Sequence, residues 1–574
     1  MSDYHVSKLA KLACLSLSAL AVAACATPSQ NYATTLTPEG KLFGDYLAGT
    51  YARYLSDAPA QSKYFGQAFA QKPTDLRLGR RAVVAAISAG DFDKAETIAS
   101  QMTATGEKEA LAETVLGAKA LRAQDYTKAL SYFEQPTADL TMSIMMKIMA
   151  GWAHHGLDDN NAAREVFKSL PGGSYFDRFG LLQLARLETT LGNYAAAREA
   201  LALIEAQRAD AVDLEFRLTR AEIDALDGKA QDALKSLQDY SDDNGTFETG
   251  PVPALIAALE AGEAPFAALS PKDHVARALT EVAYGFFAAN RSYDNTELFL
   301  YMALSQDPNY DKGQLWLADI LAAFDRDADA LAYYDGIPTR SPYFVQAQMA
   351  KGYSFLRDDR DDEALATFKR LNDVAPSVIT RDALGRIYLS KENYDAALPI
   401  YEALVASLSD HELAQDPSSL YLRGVCYERL DMWEKAVADF QRVLSYKPDD
   451  ADTLNYLGYT WVDRGENLTE AFTMIRRAVA LEPSSGAIVD SLGWAHYKLG
   501  QYAEAKEQLE LAVTLSPSSA TIIDHLGDVY YKLGRKTEAR YQWERALEFD
   551  PTDKEIETIN QKLQGGLGAV QAAP

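Results

Sequence analysis

A repeat near the C-terminal end constrains the fold of this 574-residue chain more than any other feature. Three segments align with one another: NYLGYTWVDRG, DSLGWAHYKLG and DHLGDVYYKLG. Their glycines are Gly458, Gly493 and Gly527, which stand 35 and 34 residues apart. A fixed period of this length indicates a solenoid, in which each unit buries its apolar face against its neighbours. The sequence therefore predicts a stack of repeats rather than one compact domain.

Each of these glycines is followed by the marks of a second helix. An alanine, a bulky residue, another alanine and a closing proline recur in order, as in Ala505, Leu509, Ala512 and Pro517. Small residues let two antiparallel helices approach closely, the bulky residue fills the space between them, and proline ends the second helix. This is the tetratricopeptide repeat (TPR) pattern. We predict an all-α fold, a TPR-type α-solenoid built from antiparallel helix pairs.

The clarity of the repeat pattern divides the chain. We expect TPR repeats over residues 273–552 and divergent TPR-like helical repeats over residues 41–272, where only parts of the consensus remain. The stretch 241–272 is acidic at first and then rich in Pro and Ala, and it is interpreted as either a hinge or a long loop. Residues 553–574 are predicted to form a polar capping helix over the last apolar face, followed by a tail.

The N-terminus has the features of a signal peptide. Residues 1–24 combine two lysines with an uncharged apolar run that is too short to span a bilayer. The run ends Val22-Ala23-Ala24-Cys25, which resembles a bacterial lipobox, so lipidation of Cys25 is predicted. The alternative is ordinary cleavage after a small residue, with Cys25 incidental. Residues 25–40 are then the lipidated cysteine and a flexible tether, and Ala26, where many inner-membrane lipoproteins have Asp, favours the outer membrane.

The charge balance restricts the class of partner. Lys and Arg number 56 and Asp and Glu 82, which gives a net charge of −26. Nucleic acid and anionic lipid surfaces are bound by dense basic faces, so neither is expected as the main partner. We predict that the protein reaches the membrane only through its lipid and binds proteins or peptides.

Motifs of enzyme chemistry are missing from the sequence. None of the seven histidines forms an H-E-x-x-H helix, and there is no C-x-x-C pair, P-loop or G-x-S-x-G elbow. We therefore predict that the protein is not an enzyme and that it has no catalytic residue, metal site or cofactor. Cys426 is expected to pack in or beside a helical core as a small apolar residue.

The first helix of each repeat lines the concave side of a TPR stack. In the last four repeats, the consensus positions that face this side carry mostly aromatic and acidic residues. We predict partner binding by Tyr421, Tyr459, Asp490, Trp494, Tyr497, Asp524, Asp528 and Tyr531. Aromatic rings beside polar groups suit peptide recognition, and the alternative is that the rings only pack back onto the solenoid. The Lys, Asn and Arg residues with which some TPR domains clamp a carboxylate are mostly replaced here.

The repeat segments, together with Cys25, resemble those of the large Gram-negative outer-membrane TPR lipoproteins. The resemblance covers about residues 275–552 and rests on stretches such as RIYLSKENYDAALPIYEALV and DHLGDVYYKLGRKTEARYQWERAL. Some members of that family bind a periplasmic carboxy-terminal processing protease and present substrates such as cell-wall hydrolases to it. The resemblance thus implies a lipid-anchored adaptor that faces the periplasm from the outer membrane. The alternative is a scaffold for an outer-membrane assembly, secretion or polysaccharide-export machine, which would use the same anchor and solenoid.

Overall fold

The computed structural model describes residues 37–170, 174–207, 213–244, 249–288 and 293–570. Every regular element in these ranges is a helix, and consecutive helices pack in pairs. Within a compact unit, most pairs also pack on a pair next to them in sequence, so the fold is the all-α, TPR-type solenoid that the repeat spacing predicts. The predicted signal peptide and Cys25 lie outside the described residues.

The described chain forms two compact units. The first comprises the residues up to Tyr240 and Leu259–Arg326, and the second comprises Ser241–Ala258 and the residues from Asp327 onward. The boundary between 272 and 273, which marks where the consensus becomes clear, falls inside the first unit. The difference arises because the units depend on which helices pack together, whereas the predicted boundary depends on sequence pattern alone.

Sixteen helices begin before residue 327. Their bounds are Pro38–Tyr54 (α1), Ala58–Gln71 (α2), Leu76–Ser88 (α3), Phe92–Thr103 (α4), Ala110–Arg122 (α5), Tyr126–Phe133 (α6), Leu140–Gly156 (α7), Asn160–Lys168 (α8), Ser174–Thr190 (α9), Tyr194–Gln207 (α10), Leu214–Leu226 (α11), Ala230–Asn244 (α12), Pro251–Glu260 (α13), Pro271–Ala288 (α14), Tyr293–Gln306 (α15) and Asp311–Ala323 (α16). The stretch 241–272 thus contains α13, and the last three residues of the predicted tether, 38–40, belong to the first turn of α1.

Aspartates begin several of these helices. The carboxylates of Asp75, Asp91, Asp125 and Asp159 each accept a hydrogen bond from a backbone N–H in the first turn of the following helix. The first turn of a helix has N–H groups without intrahelical partners, and these side chains satisfy one or two of them. The short turns between paired helices are therefore stabilised locally by the sequence.

Contacts between a glycine and an aromatic ring hold helix pairs of the first unit together. A Cβ atom on Gly117 would lie 2.2 Å from the ring of Phe133, and one on Gly151 would lie 2.3 Å from Phe167. Since Gly117 and Gly151 stand 34 residues apart, the same interval that separates the C-terminal glycines operates here. The divergent repeats thus keep the close packing of the clear ones.

From residue 327 onward, the described residues form sixteen further helices. Their bounds are Asp327–Gly336 (α17), Phe344–Arg357 (α18), Asp361–Val374 (α19), Val378–Ser390 (α20), Tyr394–Ser407 (α21), Asp410–Gln415 (α22), Ser418–Arg429 (α23), Trp433–Tyr446 (α24), Ala451–Arg464 (α25), Leu468–Leu481 (α26), Gly486–Lys498 (α27), Tyr502–Leu515 (α28), Ala520–Lys532 (α29), Lys536–Ala546 (α30), Asp553–Gly565 (α31) and Leu567–Val570 (α32).

The core of the second unit runs along the stack. The bulky residues predicted to fill each pair are fully buried, as Phe440, Ile475 and Leu509 show. Cys426 is buried in the same core, and this burial raises the pKa of its thiol to about 11. The thiol is therefore protonated at neutral pH, which is the state of a small apolar core residue rather than of a nucleophile.

Candidate protein-binding groove

The eight predicted partner-binding residues lie on four first helices of the second unit. α25, α27 and α29 pack against one another in order, and Tyr421 on α23 contacts Tyr456 on α25. We call the face of these four helices that carries the predicted residues the C-terminal groove. The residues are Tyr421 on α23, Tyr459 on α25, Asp490, Trp494 and Tyr497 on α27, and Asp524, Asp528 and Tyr531 on α29.

Three stacked rings form the centre of the C-terminal groove. The Trp494 ring lies 4.6 Å from that of Tyr497 and 4.0 Å from that of His525, with interplanar angles of 12° and 17°. Trp494 and Tyr497 are half-buried, so part of each ring remains open to a partner. Flat rings that are already held in place lose little conformational entropy on binding, which suits them to peptide recognition.

Tyr459 extends this aromatic surface toward α25. It is half-buried, and burial together with the carboxylates of Asp463 and Asp490 raises the pKa of its hydroxyl. Tyr421 lies farther along and lines a cleft of about 190 Å³ with Lys447 and other polar residues. Burial, with nearby Asp452, raises the pKa of Tyr421 to about 12. Both hydroxyls are therefore neutral and able to donate a hydrogen bond at neutral pH.

Asp490 is held by an ion pair inside the C-terminal groove. Nδ1 of His525 lies 2.9 Å from Oδ1 and 3.1 Å from Oδ2 of Asp490, and both side chains are buried. Burial by itself would lower the pKa of His525, but Asp490 and the nearby Asp524 and Asp528 raise it. The imidazole of His525 therefore orients Asp490 and supports the face of the Trp494 ring.

Asp524 and Asp528 are not open to the groove, because the capping helix covers them. Nζ of Lys562 on α31 lies 2.6 Å from Asp524 Oδ2 and 2.8 Å from Asp528 Oδ1. Asp528 is only 4% exposed and also accepts a hydrogen bond from Trp543 Nε1 at 3.0 Å. Burial and the neighbouring Asp524 raise the pKa of Asp528 to about 6. The prediction of partner binding at these two residues stays untested, and the chain itself supplies a cation there.

Tyr531 lies at the same covered end of the groove. Its ring packs on Trp543 at 5.6 Å, and a Cβ atom on Gly566 would lie 2.2 Å from its hydroxyl oxygen. The end of α31 therefore meets this tyrosine directly. Of the eight predicted residues, the open part of the C-terminal groove retains Tyr421, Tyr459, Trp494 and Tyr497, with Asp490 beneath them.

Sequence reasoning missed three residues that shape the groove. Tyr456 contacts Tyr421 and donates from its hydroxyl to Glu428 Oε2 at 3.0 Å. His525 contacts Asp490, and Lys562 contacts Asp524. His525 follows Asp524 directly and does not occupy a groove-facing consensus position, so the repeat pattern did not mark it. Lys562 contacts the groove aspartates only because α31 packs over them.

The corresponding face of the first unit is filled by its own chain. The first helices α3, α5, α7 and α9 are contacted by the hairpin of α14 and α15. The Tyr301 hydroxyl donates to the carbonyl oxygen of Ser88 at 2.8 Å, and Arg122 donates to that of Ser305 at 2.9 Å. We call this occupied face the filled N-terminal groove.

Buried charges pair across the filled N-terminal groove. Arg186 on α9 donates to both carboxylate oxygens of Glu281 on α14, at 2.6 and 2.7 Å, and both side chains are buried. Glu215 pairs with Lys312 and lies 3.5 Å from Arg186. Burial alone would raise the pKa of Glu215, but Lys312, Arg277 and Arg186 hold it well below the usual range. Such a network is stable only while all its members are paired.

Two further kinds of site are absent from the described part of the chain. Over those ranges, no helix is both long and apolar enough to cross a bilayer. The same residues contain no group of three or more His, Cys, Asp or Glu side chains placed to hold a metal ion.

Comparison with known proteins identifies the repeats. Residues 380–413, 417–450 and 491–554 match family models of the tetratricopeptide repeat. The chain is 30% identical over 170 residues to the TPR repeat-containing protein PA4667 of Pseudomonas aeruginosa, a match that covers 29% of this chain and 28% of that protein. It is 22% identical over 213 residues to the peroxisomal targeting signal receptor of Candida albicans, covering 36% of each.

One match to a solved structure spans most of the chain. The crystal structure of the APC/C hetero-tetramer Cut9–Hcn1 covers 93% of this chain and 99% of its own, at 15% identity and a TM-score of 0.36. The repeats and the fold define the class of this protein: a TPR solenoid, which is a scaffold for protein–protein interaction.

Proposed function

We propose that this chain is a periplasmic scaffold that binds protein partners through the open part of the C-terminal groove. In this proposal Cys25 carries the lipid that anchors the protein to the outer membrane, and the protein acts by binding rather than by catalysis. More specifically, we propose that the protein is an adaptor that holds a carboxy-terminal processing protease and presents cell-wall hydrolases to it.

One observation carries the binding proposal. The Trp494 ring stacks on Tyr497 and on the buried His525, and the rings of Trp494 and Tyr497 are partly open on a face whose counterpart in the first unit is occupied by α14 and α15. Protein interfaces concentrate their binding energy in a few aromatic and charged residues that are already held in position. The protease itself is supported only by the resemblance of the repeats and the lipobox to the outer-membrane TPR lipoproteins.

The partner is identified by affinity capture. Residues 26–574 are expressed without the lipid in the periplasm of the native host, and co-purifying proteins are identified by mass spectrometry. We expect a processing protease together with cell-wall hydrolases. Recovery of a β-barrel assembly or export complex without the protease would contradict the adaptor proposal and favour the alternative scaffold.

The binding surface is tested by two variants. Tyr459→Ala combined with Trp494→Ala should weaken capture of the partner at least about thirtyfold, because the loss of even one hot-spot ring costs about 2 kcal/mol or more. Tyr541→Ala is the matched control, since this tyrosine is 63% exposed but lies on the second helix α30. Helicity by circular dichroism should be unchanged in both. Equal binding by the double variant would move the contact surface elsewhere.

The anchor is tested separately from the groove. Cys25→Ser should release the protein from the outer-membrane fraction into the soluble periplasm, because one thiol carries the lipid. Partner capture by the released protein should persist. Retention of Cys25→Ser in the membrane fraction would overturn the lipid anchor and leave the binding proposal standing.

A further inference from the structure

An arginine-rich cleft in the first unit contrasts with the acidity of the chain. The cleft has a volume of about 650 Å³ and lies between α3 and the beginning of α15. It is lined by Arg53, Arg77, Arg80, Arg81 and Arg326. Only two carboxylates line it with them, although the whole chain has a net charge of −26.

Three of the five arginines are already paired. Arg53 lies 3.1 Å from Asp294, and Arg326 lies 2.7 Å from Glu297, so the two lining carboxylates are used. Arg80 reaches two carboxylates outside the cleft, at 2.9 and 3.0 Å. The remaining positive charge of the cleft therefore comes from the other two arginines.

Arg77 and Arg81 keep their hydrogen-bonding edges available. The Arg77 side chain is 95% exposed and approaches Asp75 no closer than 3.9 Å, and Asp75 also pairs with a lysine. The Arg81 guanidinium lies 5.3 Å from the Tyr46 ring and 5.9 Å from the Phe65 ring, and it has no ion-pair partner among the described residues. Rings against one face position the guanidinium while its N–H groups stay free.

The two free arginines lie one helical turn apart on α3, so they project from the same face. Val84 and Phe324 line the same cleft and are 38% and 45% exposed. We propose that this cleft binds an acidic peptide segment of a protein partner, with two of its carboxylates on Arg77 and Arg81 and an apolar side chain against Val84 and Phe324. Guanidinium groups bind carboxylates through paired, charge-assisted hydrogen bonds.

The shape of the site favours a peptide over the other anionic partners. A lipid surface is flat and is bound by broad basic faces, whereas these arginines line a cleft beside paired carboxylates. Nucleic acid requires a continuous basic surface, which a chain of net charge −26 does not offer around a cleft with two free cations. This site is independent of the C-terminal groove and of the function proposed for it.

Binding is measured by fluorescence anisotropy with the purified protein. The probe is a fluorescein-labelled peptide that alternates glutamate pairs with leucine, and its glutamine counterpart is the reference. We expect the glutamate peptide to bind and the glutamine peptide not to bind. Arg77→Glu with Arg81→Glu should raise the Kd at least about tenfold, because each lost charged hydrogen bond is worth more than a neutral one. Arg77→Ala alone, at a site too exposed to affect folding, should give a smaller rise.

Lys63→Glu with Lys128→Glu is the matched control, since it changes the net charge equally at exposed lysines outside the cleft lining. An equal loss of binding in this control, or no loss in the arginine variants, would overturn the proposal. So would binding of phosphatidylglycerol vesicles that depends on Arg77 and Arg81 when the glutamate peptide does not bind, because the ligand would then be a lipid.

Discussion

Each unit contains a tryptophan stacked on a histidine, and the two stacks differ in what surrounds them. In the first unit, the Trp152 ring lies 3.9 Å from His274 with an interplanar angle of 1°, and Trp152 is fully buried. In the second unit, Trp494 lies 4.0 Å from His525 at 17° and is half-buried. The Trp152 indole donates to Gln183 at 3.1 Å, whereas the Trp494 indole has no acceptor among the described residues.

The histidines explain the difference. His274 belongs to α14, the helix that occupies the filled N-terminal groove, and burial with the nearby Arg277 and Arg186 lowers its pKa. His525 belongs to a first helix of the groove itself, and Asp490 raises its pKa. The same repeat geometry thus has two outcomes: the first unit closes around its own hairpin, and the second leaves part of its aromatic face open, where we propose that a partner binds.

The largest effect is expected from breaking the charge network of the first unit. Arg186→Ala removes the bidentate partner of buried Glu281 and leaves it with Arg277 at 3.6 Å, which should cost about 3–5 kcal/mol. Hydrogen exchange followed by mass spectrometry should show faster exchange in peptides of α9 and α14, while peptides of α25 to α29 keep their rates.

Arg220→Ala is the matched control for Arg186→Ala. Arg220 pairs with Glu205 at 2.7 Å, but both side chains are more than a third exposed, so its loss should cost at most about 1 kcal/mol. Equal protection in the two variants would show that the hairpin is not held by the buried ion pair.

A smaller effect is expected from overpacking a helix pair of the second unit. A Cβ atom on Gly527 would lie 2.5 Å from the Trp543 ring and 3.2 Å from the carbonyl oxygen of Ala539, so Gly527→Ala should destabilise this unit by about 1–3 kcal/mol. Gly44→Ala is the control, because no atom lies within 4 Å of its Cβ position and alanine favours a helix by about 1 kcal/mol. The midpoint of urea unfolding should fall for Gly527→Ala and rise for Gly44→Ala.

The subtlest contrast is the response of the two units to pH. The pKa of His274 is lowered by folding, so its contribution to stability is present above about pH 6.5 and is lost as the pH falls toward the folded-state pKa. The pKa of His525 is raised, so its contribution is present below about pH 6.5 and is lost as the pH rises through the folded-state pKa. The pKa of Asp528 is raised to about 6, so its contribution to stability is likewise lost as the pH rises.

Two substitutions isolate the contribution of each histidine to the pH dependence of stability. His274→Gln should reduce the loss of protection that the first unit shows on acidification, and His525→Gln should reduce the gain of the second unit. Each is read by hydrogen exchange at pH values on either side of about 6.5, with rates corrected for the intrinsic pH dependence. Burial raises the pKa of Glu281, so Glu281 stabilises the first unit as the pH falls, opposite to His274. The contribution of His274 is therefore obtained from the difference between the wild type and the His274→Gln variant. The same pH response in wild type and variant would contradict the assigned shifts.

The repeat interval was sufficient to predict the fold and the helices that carry the groove. Gly458, Gly493 and Gly527 set the register, and from it the eight residues were placed on the first helices, where the structure has them. The burial of Cys426 followed from its apolar neighbours in the same way. These features depend on contacts within one repeat or between adjacent ones, which a period of about 34 residues encodes.

The parts that the sequence did not reveal depend on contacts between distant repeats. The pair of Arg186 with Glu281 joins residues 95 positions apart, and no repeat consensus specifies it. Lys562 lies beyond the last repeat and contacts Asp524 and Asp528. The repeat pattern does not include this contact, so it predicted that both aspartates face an open groove. Long-range packing decides which stretches of a concave face remain available.

Hydroxyl-radical footprinting of the protein, alone and bound to its captured partner, tests the contrast between the two units most directly. Trp152 should resist oxidation in both states because it is fully buried. Trp494 and Tyr497 should be oxidised in the free protein and protected in the complex, while Tyr541 on α30 should be oxidised in both. Unchanged oxidation of Trp494 in the complex, or protection of Tyr541 instead, would contradict binding through the C-terminal groove.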